Sequence, residues 1–369
     1  MSTFTRRQVM SEAPALLGVA PVLLSCSPAA DAESYEAVAS RTWRLGALQG
    51  FEGATLAREL IRYASLAPSS HNTQCWKFAV QDMDITILPD FSRRCPAVDP
   101  DDHHLFVSLG CAAENLVQAA LAHGLKGEAR FDTLSGAVQV RLERAQALSS
   151  PLFRAIPERQ CTRAVYDGRP LASSELALLQ QAGSGPGVQL MLLTDGAAIE
   201  KTLEYVVQGN TAQMSDAAFV NELKAWIRFS GSDAVRTGDG LYAASSGNPS
   251  LPSWLGRRMF GVFFTAKSEN DKYAKQLRSS AGIAVFVGEA ADKPHWVEVG
   301  RCYERFALQA AALGIRNAFV NQPVEVSALR PQFASFLGVA NRRPDLVVRF
   351  GRGPKMPPSL RRPVQAVII

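Results

Sequence analysis

Several common sequence features are missing from this chain of 369 residues. No run of five basic residues occurs and the formal net charge of +5 is spread thinly, so the sequence lacks a nucleic-acid-binding footprint. No apolar stretch reaches about 18 residues, and no mature transmembrane helix is expected. The chain has no G-x-S-x-G motif, and Gly351-Arg352-Gly353 lacks the third glycine of a dinucleotide fingerprint.

Cysteines are few, and their spacing excludes two structural roles. Apart from Cys26, the cysteines are Cys75, Cys95, Cys111, Cys161 and Cys302. Their number is odd, which excludes a complete disulfide framework, and no C-x-x-C pair or paired zinc pattern is present. Cys111 and Cys302 fall in apolar helical runs and are expected to be buried.

The N-terminal segment 1–32 has the pattern of an export signal. The pair Arg6-Arg7 precedes an apolar stretch over 13–24 that is too short to span a bilayer, which resembles a twin-arginine signal. Two cleavage sites compete, a lipobox ending at Cys26 and an A-x-A site at Ala30-Asp31-Ala32. We therefore expect a periplasmic or cell-envelope protein, lipid-anchored if Cys26 is acylated. The alternative is a frayed cytosolic N-terminus.

Two long apolar segments repeat each other at an offset of 190 residues. Segments 110–125 and 300–315 share Gly, Glu, Ala and Gly at matching positions, and each has apolar residues at helical spacing before its final glycine. Segments 59–63 and 175–179 also correspond, at an offset of 116. The difference implies about 74 extra residues in the second copy, between roughly 195 and 275.

This repeat predicts an α+β fold made of two fused copies, a pseudo-dimer. The halves are 45–145 and 151–369, and the lid-like insertion of the second half contains a helix over 217–229 and a Gly/Ser-rich loop over 231–247. The alternative is that glycine-ended, alanine-rich helices look alike by chance. Strand patterns flank both core helices at 78–80, 85–88, 188–193, 282–287 and 346–350.

Two segments carry polar chemistry. Residues 67–76, Ala-Pro-Ser-Ser-His-Asn-Thr-Gln-Cys-Trp, crowd hydroxyls and amides into a loop after a helix that Pro68 ends, which suits a flat heterocycle edged with N–H and C=O groups. Arg159 and Arg163 alternate on an extended segment, so we expect both to face one way and to bind an anion such as phosphate. The alternatives are an ordinary polar turn and a solvated basic strand.

Two further segments carry weaker signals. The proline-rich C-terminal run holds Arg361 and Arg362 as a fixed pair, which is either a second phosphate arm or a surface tail. Residues 99–104 are Asp-Pro-Asp-Asp-His-His, but adjacent histidines on a helix point in different directions. An acidic helix N-terminus is the favoured account, and no metal site is predicted.

Together these motifs resemble the nitroreductase-like FMN-binding flavoproteins, whose pattern includes R-x-S-x-R, A-P-S-x-x-N-x-Q-P-W, a glycine-bounded central helix and a basic C-terminus. In homodimers of that family each FMN site draws on both chains. Here the A-P-S-S-H-N-T-Q motif lies in the first copy and R-x-C-x-R in the second. The resemblance covers most of 50–365 and is strongest to a single-chain, tandem branch with a lid over one FMN.

The resemblance also implies roles for individual residues. Arg159 would hold the FMN phosphate, Arg163 would lie near the pyrimidine edge of the ring, and Arg361 or Arg362 would close on the phosphate. Asn321, in the looser match Phe319–Gln322, would lie along one ring face. The positions expected to contact the ring and ribityl chain are Pro68, Ser69, Ser70, Asn72 and Gln74.

The chain departs from the family pattern at three places. Cys161 replaces the usual serine and is a weaker donor, and Cys75 replaces the proline before Trp76. The first copy's own arginine motif, Arg41-Thr42-Trp43-Arg44, has the wrong spacing, so a second FMN site is not expected.

The resemblance implies an FMN-dependent oxidoreductase that passes a hydride from NAD(P)H or another donor to a nitroaromatic, quinone or similar acceptor. No residue is assigned an acid–base role. The alternative is a flavin-sequestering protein whose lid excludes the nicotinamide, and a third is a cofactor-free exported scaffold. The chain is expected to be a monomeric pseudo-dimer.

Overall fold

The computed structural model describes residues 33–48 and 50–369. The predicted signal segment, with Arg6-Arg7, Cys26 and Ala30-Asp31-Ala32, lies outside the described residues, so export and cleavage stay predictions. The helices are α1 (Tyr35–Thr42), α2 (Gly53–Ala64), α3 (His103–Ala122), α4 (Pro151–Ala155), α5 (Ser173–Ala182), α6 (Gly196–Ser215), α7 (Ala217–Trp226), α8 (Gly231–Thr237), α9 (Ser253–Phe263), α10 (Ala266–Arg278), α11 (Lys293–Ala312), α12 (Gln322–Glu325) and α13 (Arg330–Phe336). The strands are β1 (Trp76–Gln81), β2 (Asp84–Pro89), β3 (Leu125–Asp132), β4 (Ala137–Arg144), β5 (Val188–Leu193), β6 (Ile227–Arg228), β7 (Leu241–Tyr242), β8 (Gly282–Gly288), β9 (Arg316–Phe319) and β10 (Pro344–Gly351).

Two antiparallel four-stranded sheets with matching connectivity form the two halves. The first sheet has the order β1-β2-β4-β3 and the second has β5-β8-β10-β9. In the first half the chain runs α2-β1-β2-α3-β3-β4, and in the second it runs α5-β5-β8-α11-β9-β10, with α12 and α13 between the last two strands. The α+β class is confirmed, and the repeated order is that expected of two fused copies.

The second half differs by a large insertion between its first two strands. β1 and β2 are joined by a tight turn at Asp82 and Met83, whereas residues 194–281, called the insertion below, carry α6 to α10 with β6 and β7. The expectation of a loop throughout 231–247 was wrong. Ser230 caps α8 by accepting from Asp233 N, and Gly238 ends the helix in the left-handed conformation.

The core is built where α3 and α11 cross. Most residues of α3 are buried, and one hydrophobic cluster joins side chains from both halves. At the crossing, Gly110 lies against the backbone of α11 and Gly300 lies against the backbone of α3. α3 is long and apolar enough to span a membrane, with a mean hydropathy of 1.5 over 18 residues, but 83% of that window is buried inside the fold. Its composition therefore reflects a core helix.

The C-terminal arm, residues 352–369, returns to the first half. Phe78 N donates to Val367 O at 2.7 Å and Ile369 N donates to Phe78 O at 2.9 Å, which extends the β1 edge. Trp43 Nε1, just after α1, donates to Ser359 O at 2.8 Å. The arm thus runs along the end of α2, close to the polar loop at 67–76.

Candidate functional site

A cavity of about 750 Å³ lies where the two halves and the insertion meet. The first half contributes Pro68 to His71 from the polar loop, and the second half contributes Arg163 and Asn321. The insertion supplies a largely apolar roof. The roof and wall residues of the insertion are Phe219, Leu223, Ile227, Phe229, Leu241, Leu255, Met259, Phe260 and Phe264.

The polar loop is held in a tight, specific conformation. His71, Asn72 and Gln74 have positive φ values of 48°, 54° and 54°. The Ser69 hydroxyl accepts from Gln74 N at 2.8 Å, which stabilises this left-handed stretch. As a result Pro68, Ser69, Ser70 and His71 face the cavity.

Asn72 and Gln74 do not line the cavity. Asn72 Nδ2 donates to Gly240 O at 3.0 Å and to Leu360 O at 3.1 Å. Gln74 Nε2 donates to Gly238 O at 2.9 Å, and its Oε1 accepts from Arg362 N at 2.8 Å. Both buried amides therefore fasten the loop to the insertion and the C-terminal arm.

His71 presents an unsatisfied nitrogen in this wall. Its Nε2 is buried and has no hydrogen-bond partner among the described residues. Burial, together with the positive charge of Arg163, lowers the pKa of His71 to about 4. The ring is therefore neutral at neutral pH and can donate or accept one hydrogen bond according to its tautomer.

Arg163 and Lys272 bring positive charge to the cavity. In the part of the chain that the structure describes, no carboxylate lies within ion-pair distance of Arg163. Lys272 Nζ lies 4.0 Å from Glu269 Oε2 and donates to Ser246 O at 3.1 Å. Burial lowers the pKa of Lys272, Glu269 opposes this, and the like charge of Arg163 lowers it further. An anion between the two cations would relieve that repulsion.

Arg159 does not face the cavity, so the expected common face of Arg159 and Arg163 was wrong. The Arg159 guanidinium is 2% exposed; its Nε lies 3.2 Å from Glu304 Oε1 and its Nη2 donates to Leu66 O at 3.0 Å. Residues 156–158 form a helical turn immediately before it, so regular strand alternation does not apply. Burial raises the pKa of Glu304 to about 7, and the attraction of Arg159 opposes this shift.

Arg361 and Arg362 are also turned away from the cavity. Arg361 donates to Ser65 O at 2.7 Å, to Leu66 O at 2.9 Å and to Asn72 Oδ1 at 2.9 Å. Its guanidinium therefore satisfies carbonyls just after the end of α2, and burial lowers its pKa to about 9. Arg362 Nη2 donates to Ala366 O at 2.8 Å. The arm is thus neither a free phosphate arm nor a plain surface tail.

The remaining predicted positions lie on the second half. Cys161 is half-buried and pairs through its backbone with Asn317, and it is not part of the cavity lining. Asn321 does line the cavity, and its Oδ1 accepts from Val347 N at 2.9 Å. Lys272, Glu325 and the apolar roof were not predicted from the sequence. Apolar residues recur in pairs along α9, and this pattern could have indicated the roof.

The acidic segment before α3 caps that helix. Asp99 accepts from His104 N at 3.0 Å and Leu105 N at 2.9 Å, as an acidic N-terminus should. The expectation that His103 and His104 point apart was wrong, because their ring centroids are 4.6 Å apart. Both rings reach Asp345, His103 Nε2 at 2.8 Å from Oδ1 and His104 Nε2 at 3.4 Å from the backbone oxygen.

Comparisons with known proteins support the nitroreductase-like resemblance. No family model matches the chain. Two relatives from Mycobacterium tuberculosis, strains CDC 1551 / Oshkosh and ATCC 25618 / H37Rv, both named "Putative NAD(P)H nitroreductase", are 25% identical over 332 residues. The alignment covers 86% of this chain and 92% of each relative.

Solved structures were also found, at lower similarity. A nitroreductase with bound FMN from Desulfitobacterium hafniense DCB-2 aligns with 58% of this chain and 96% of its own, at 14% identity and a TM-score of 0.37. A nitroreductase with bound FMN from Bacteroides fragilis aligns with 56% of this chain and 89% of its own, at 16% identity and a TM-score of 0.34.

Proposed function

We propose that the chain binds one FMN in the cavity and acts as an FMN-dependent oxidoreductase of the nitroreductase-like, single-chain tandem type. Its acceptors would be nitroaromatics, quinones or similar compounds, with NAD(P)H as one electron donor. The observation that carries this proposal is the cavity itself, because it joins Ser69, Ser70 and His71 of one half to Arg163 of the other. The names of the relatives support the same reaction class.

The residues present fit FMN in size and chemistry. A volume of about 750 Å³ falls within the usual range for small-molecule sites. The hydroxyls of Ser69 and Ser70 and the unsatisfied Nε2 of His71 suit the polar edge of an isoalloxazine ring. Arg163 and Lys272 supply the positive charge that an anionic phosphate or a reduced ring requires, in place of Arg159, Arg361 and Arg362.

Bound FMN would supply hydride transfer at its N5 atom, and the protein would supply position and charge. Arg163 would stabilise negative charge that develops on the cofactor, because a fixed cation in a water-poor cavity is effective there. The apolar roof would exclude water and accept a flat, hydrophobic acceptor.

A non-catalytic, flavin-sequestering role is the second candidate, and one observation favours it. The insertion is fastened to the polar loop by the amides of Asn72 and Gln74, and Arg93 pairs with Asp239 of the insertion. Within the insertion, Arg228 also binds Asp239, at 2.6 Å, and so fixes this carboxylate beside Arg93. A roof held in this way would hinder entry of a nicotinamide.

The visible absorption spectrum of the bound flavin distinguishes the oxidoreductase from the flavin-sequestering protein. The purified protein is reconstituted with FMN, its visible absorption is recorded, and NADPH is added without oxygen. Flavin bands that bleach support the oxidoreductase, and bands that persist, while dithionite bleaches them, support sequestration. Failure to bind FMN after reconstitution overturns both.

We infer further that the chain is exported by the twin-arginine route to the periplasm or cell envelope. The support is the Arg6-Arg7 pair before the apolar stretch 13–24. Intact mass of the protein from the envelope fraction distinguishes an acylated Cys26 from cleavage after Ala32. An uncleaved cytosolic chain would contradict the inference.

A further inference from the structure

Helix α9 forms part of the cavity roof and has two apolar sides. Leu255, Gly256, Met259 and Phe260 line the cavity. Phe260 packs edge-on against Phe229, with ring centroids 6.4 Å apart. A helix inside a soluble fold normally presents a polar opposite face, so the residues on the outer side of α9 need a separate explanation.

The outer side of α9 is a stripe of exposed apolar and basic residues. Trp254 is 69% exposed and Val262 is 64% exposed. These two residues are eight positions apart and lie on the same helical face. Arg257, Arg258 and Gly261 lie between them on that face and are also exposed. We call this set the α9 outer face.

The charged residues of the α9 outer face are all basic. The helix Ser253–Phe263 contains no acidic residue. Among the described residues no ion pair joins Arg257 or Arg258 to a carboxylate. The nearby carboxylate of Asp233 is already bound by Arg236 at 3.2 Å and by the Ser253 hydroxyl. Both arginines are therefore available to an external anionic partner.

We propose that the α9 outer face docks on an anionic lipid bilayer. An exposed tryptophan and valine beside arginines on one face of a helix is the combination that inserts at a headgroup boundary, with apolar side chains below and cations at the phosphates. Docking would place α9 as the layer between the cavity and the lipid. This docking does not depend on bound flavin.

The test is vesicle co-sedimentation of the full chain carrying Cys26→Ser, so that no acyl chain contributes. Vesicles of phosphatidylcholine alone are compared with vesicles containing phosphatidylglycerol, at low and high salt. We expect binding to the anionic vesicles, weakened by salt. The pairs Trp254→Ser with Val262→Ser, and Arg257→Gln with Arg258→Gln, should each weaken it roughly tenfold or more.

Matched controls change exposed residues elsewhere. Leu134→Ser, at a 96% exposed position in the β3–β4 turn, controls for loss of an apolar side chain. Arg144→Gln with Arg169→Gln controls for loss of two exposed charges. Both controls should bind as the parent does, and circular dichroism should show every variant folded.

Three results would overturn the proposal. The first is binding to anionic vesicles that the α9 variants leave unchanged. The second is the absence of binding at low salt. The third is a dimer in solution that Trp254→Ser with Val262→Ser dissociates, without any vesicle binding, because that would make the face a contact between two copies of the chain.

Discussion

Gly110 and Gly300 hold equivalent places in the two core helices, each against the backbone of the helix that carries the other. A Cβ at Gly110 would overlap the carbonyl oxygen of Val297 and lie 3.1 Å from Arg301 N. A Cβ at Gly300 would overlap the carbonyl oxygen of Val107 and lie 3.1 Å from Cys111 N. The residues that make one contact lie 190 positions from those that make the other. The sequence repeat therefore corresponds to a local two-fold symmetry where α3 and α11 cross.

The close contact of α3 with α11 predicts that substitution of either core glycine destabilises the protein by a similar amount. Gly110→Ala and Gly300→Ala should each lower the free energy of unfolding by about 2–3 kcal/mol, because backbone atoms must move to admit a methyl group. Gly261→Ala is the control, since a Cβ there meets nothing within 4 Å and the position is helical. Urea unfolding measures all three. Unequal losses at the two core glycines would contradict the local symmetry.

The two arginines of the R-x-C-x-R motif should separate by phenotype. Arg163→Ala should weaken FMN binding roughly 10- to 100-fold with little change in stability, because it removes an unpaired cation from the cavity. Arg159→Ala should instead lower the free energy of unfolding by about 3–5 kcal/mol, because it leaves Glu304 buried without its partner. Flavin fluorescence titration and denaturant unfolding give the two readouts.

A double variant checks the assignment of Arg159. Replacing both members of the buried pair, as Arg159→Met with Glu304→Leu, should recover much of the stability that Arg159→Ala loses. Loss of FMN binding in Arg159→Ala at full stability would instead favour the phosphate-binding role.

The roof contacts of Asp239 should control access to the cavity. Asp239→Asn weakens the pair with Arg93, which joins the insertion to the first half, and the pair with Arg228, which lies within the insertion. If the roof limits entry, this variant should speed anaerobic bleaching of the bound flavin by NADPH. Arg236→Gln, which changes an exposed ion pair of α8, is the control. Equal rates in parent and variant would mean that the roof does not limit the reaction.

His71 should make stability depend on pH below neutrality. Its folded pKa of about 4 lies below the unfolded value of about 6.5, so the unfolded chain binds the extra proton first. The stabilising contribution is complete above pH 6.5 and falls by roughly 2–3 kcal/mol as the pH drops toward 4. His71→Asn keeps a residue that tolerates φ of 48° but does not titrate there. The free energy of unfolding is measured against pH for the parent and for His71→Asn. An equal loss in both proteins between pH 6.5 and 4 would contradict the prediction.

Parts of this fold follow from local sequence patterns, and parts do not. The helices around Gly110 and Gly300 and the loop ended by Pro68 are set by periodicity and by glycine and proline, which act locally. The partner of Arg159 is Glu304, 145 positions away, and no local pattern specifies that pairing. Asn72 likewise bonds to Gly240 and Leu360, whose positions depend on the insertion and the C-terminal arm.

The central claim is that two fused halves enclose a single FMN, and flavin stoichiometry tests it most directly. The reconstituted protein is passed through a sizing column with mass detection, and FMN is released by denaturation and counted against the peptide. The account predicts a monomer with one FMN per chain. A chain that retains no FMN, or two, or that binds it only as a dimer, would contradict it.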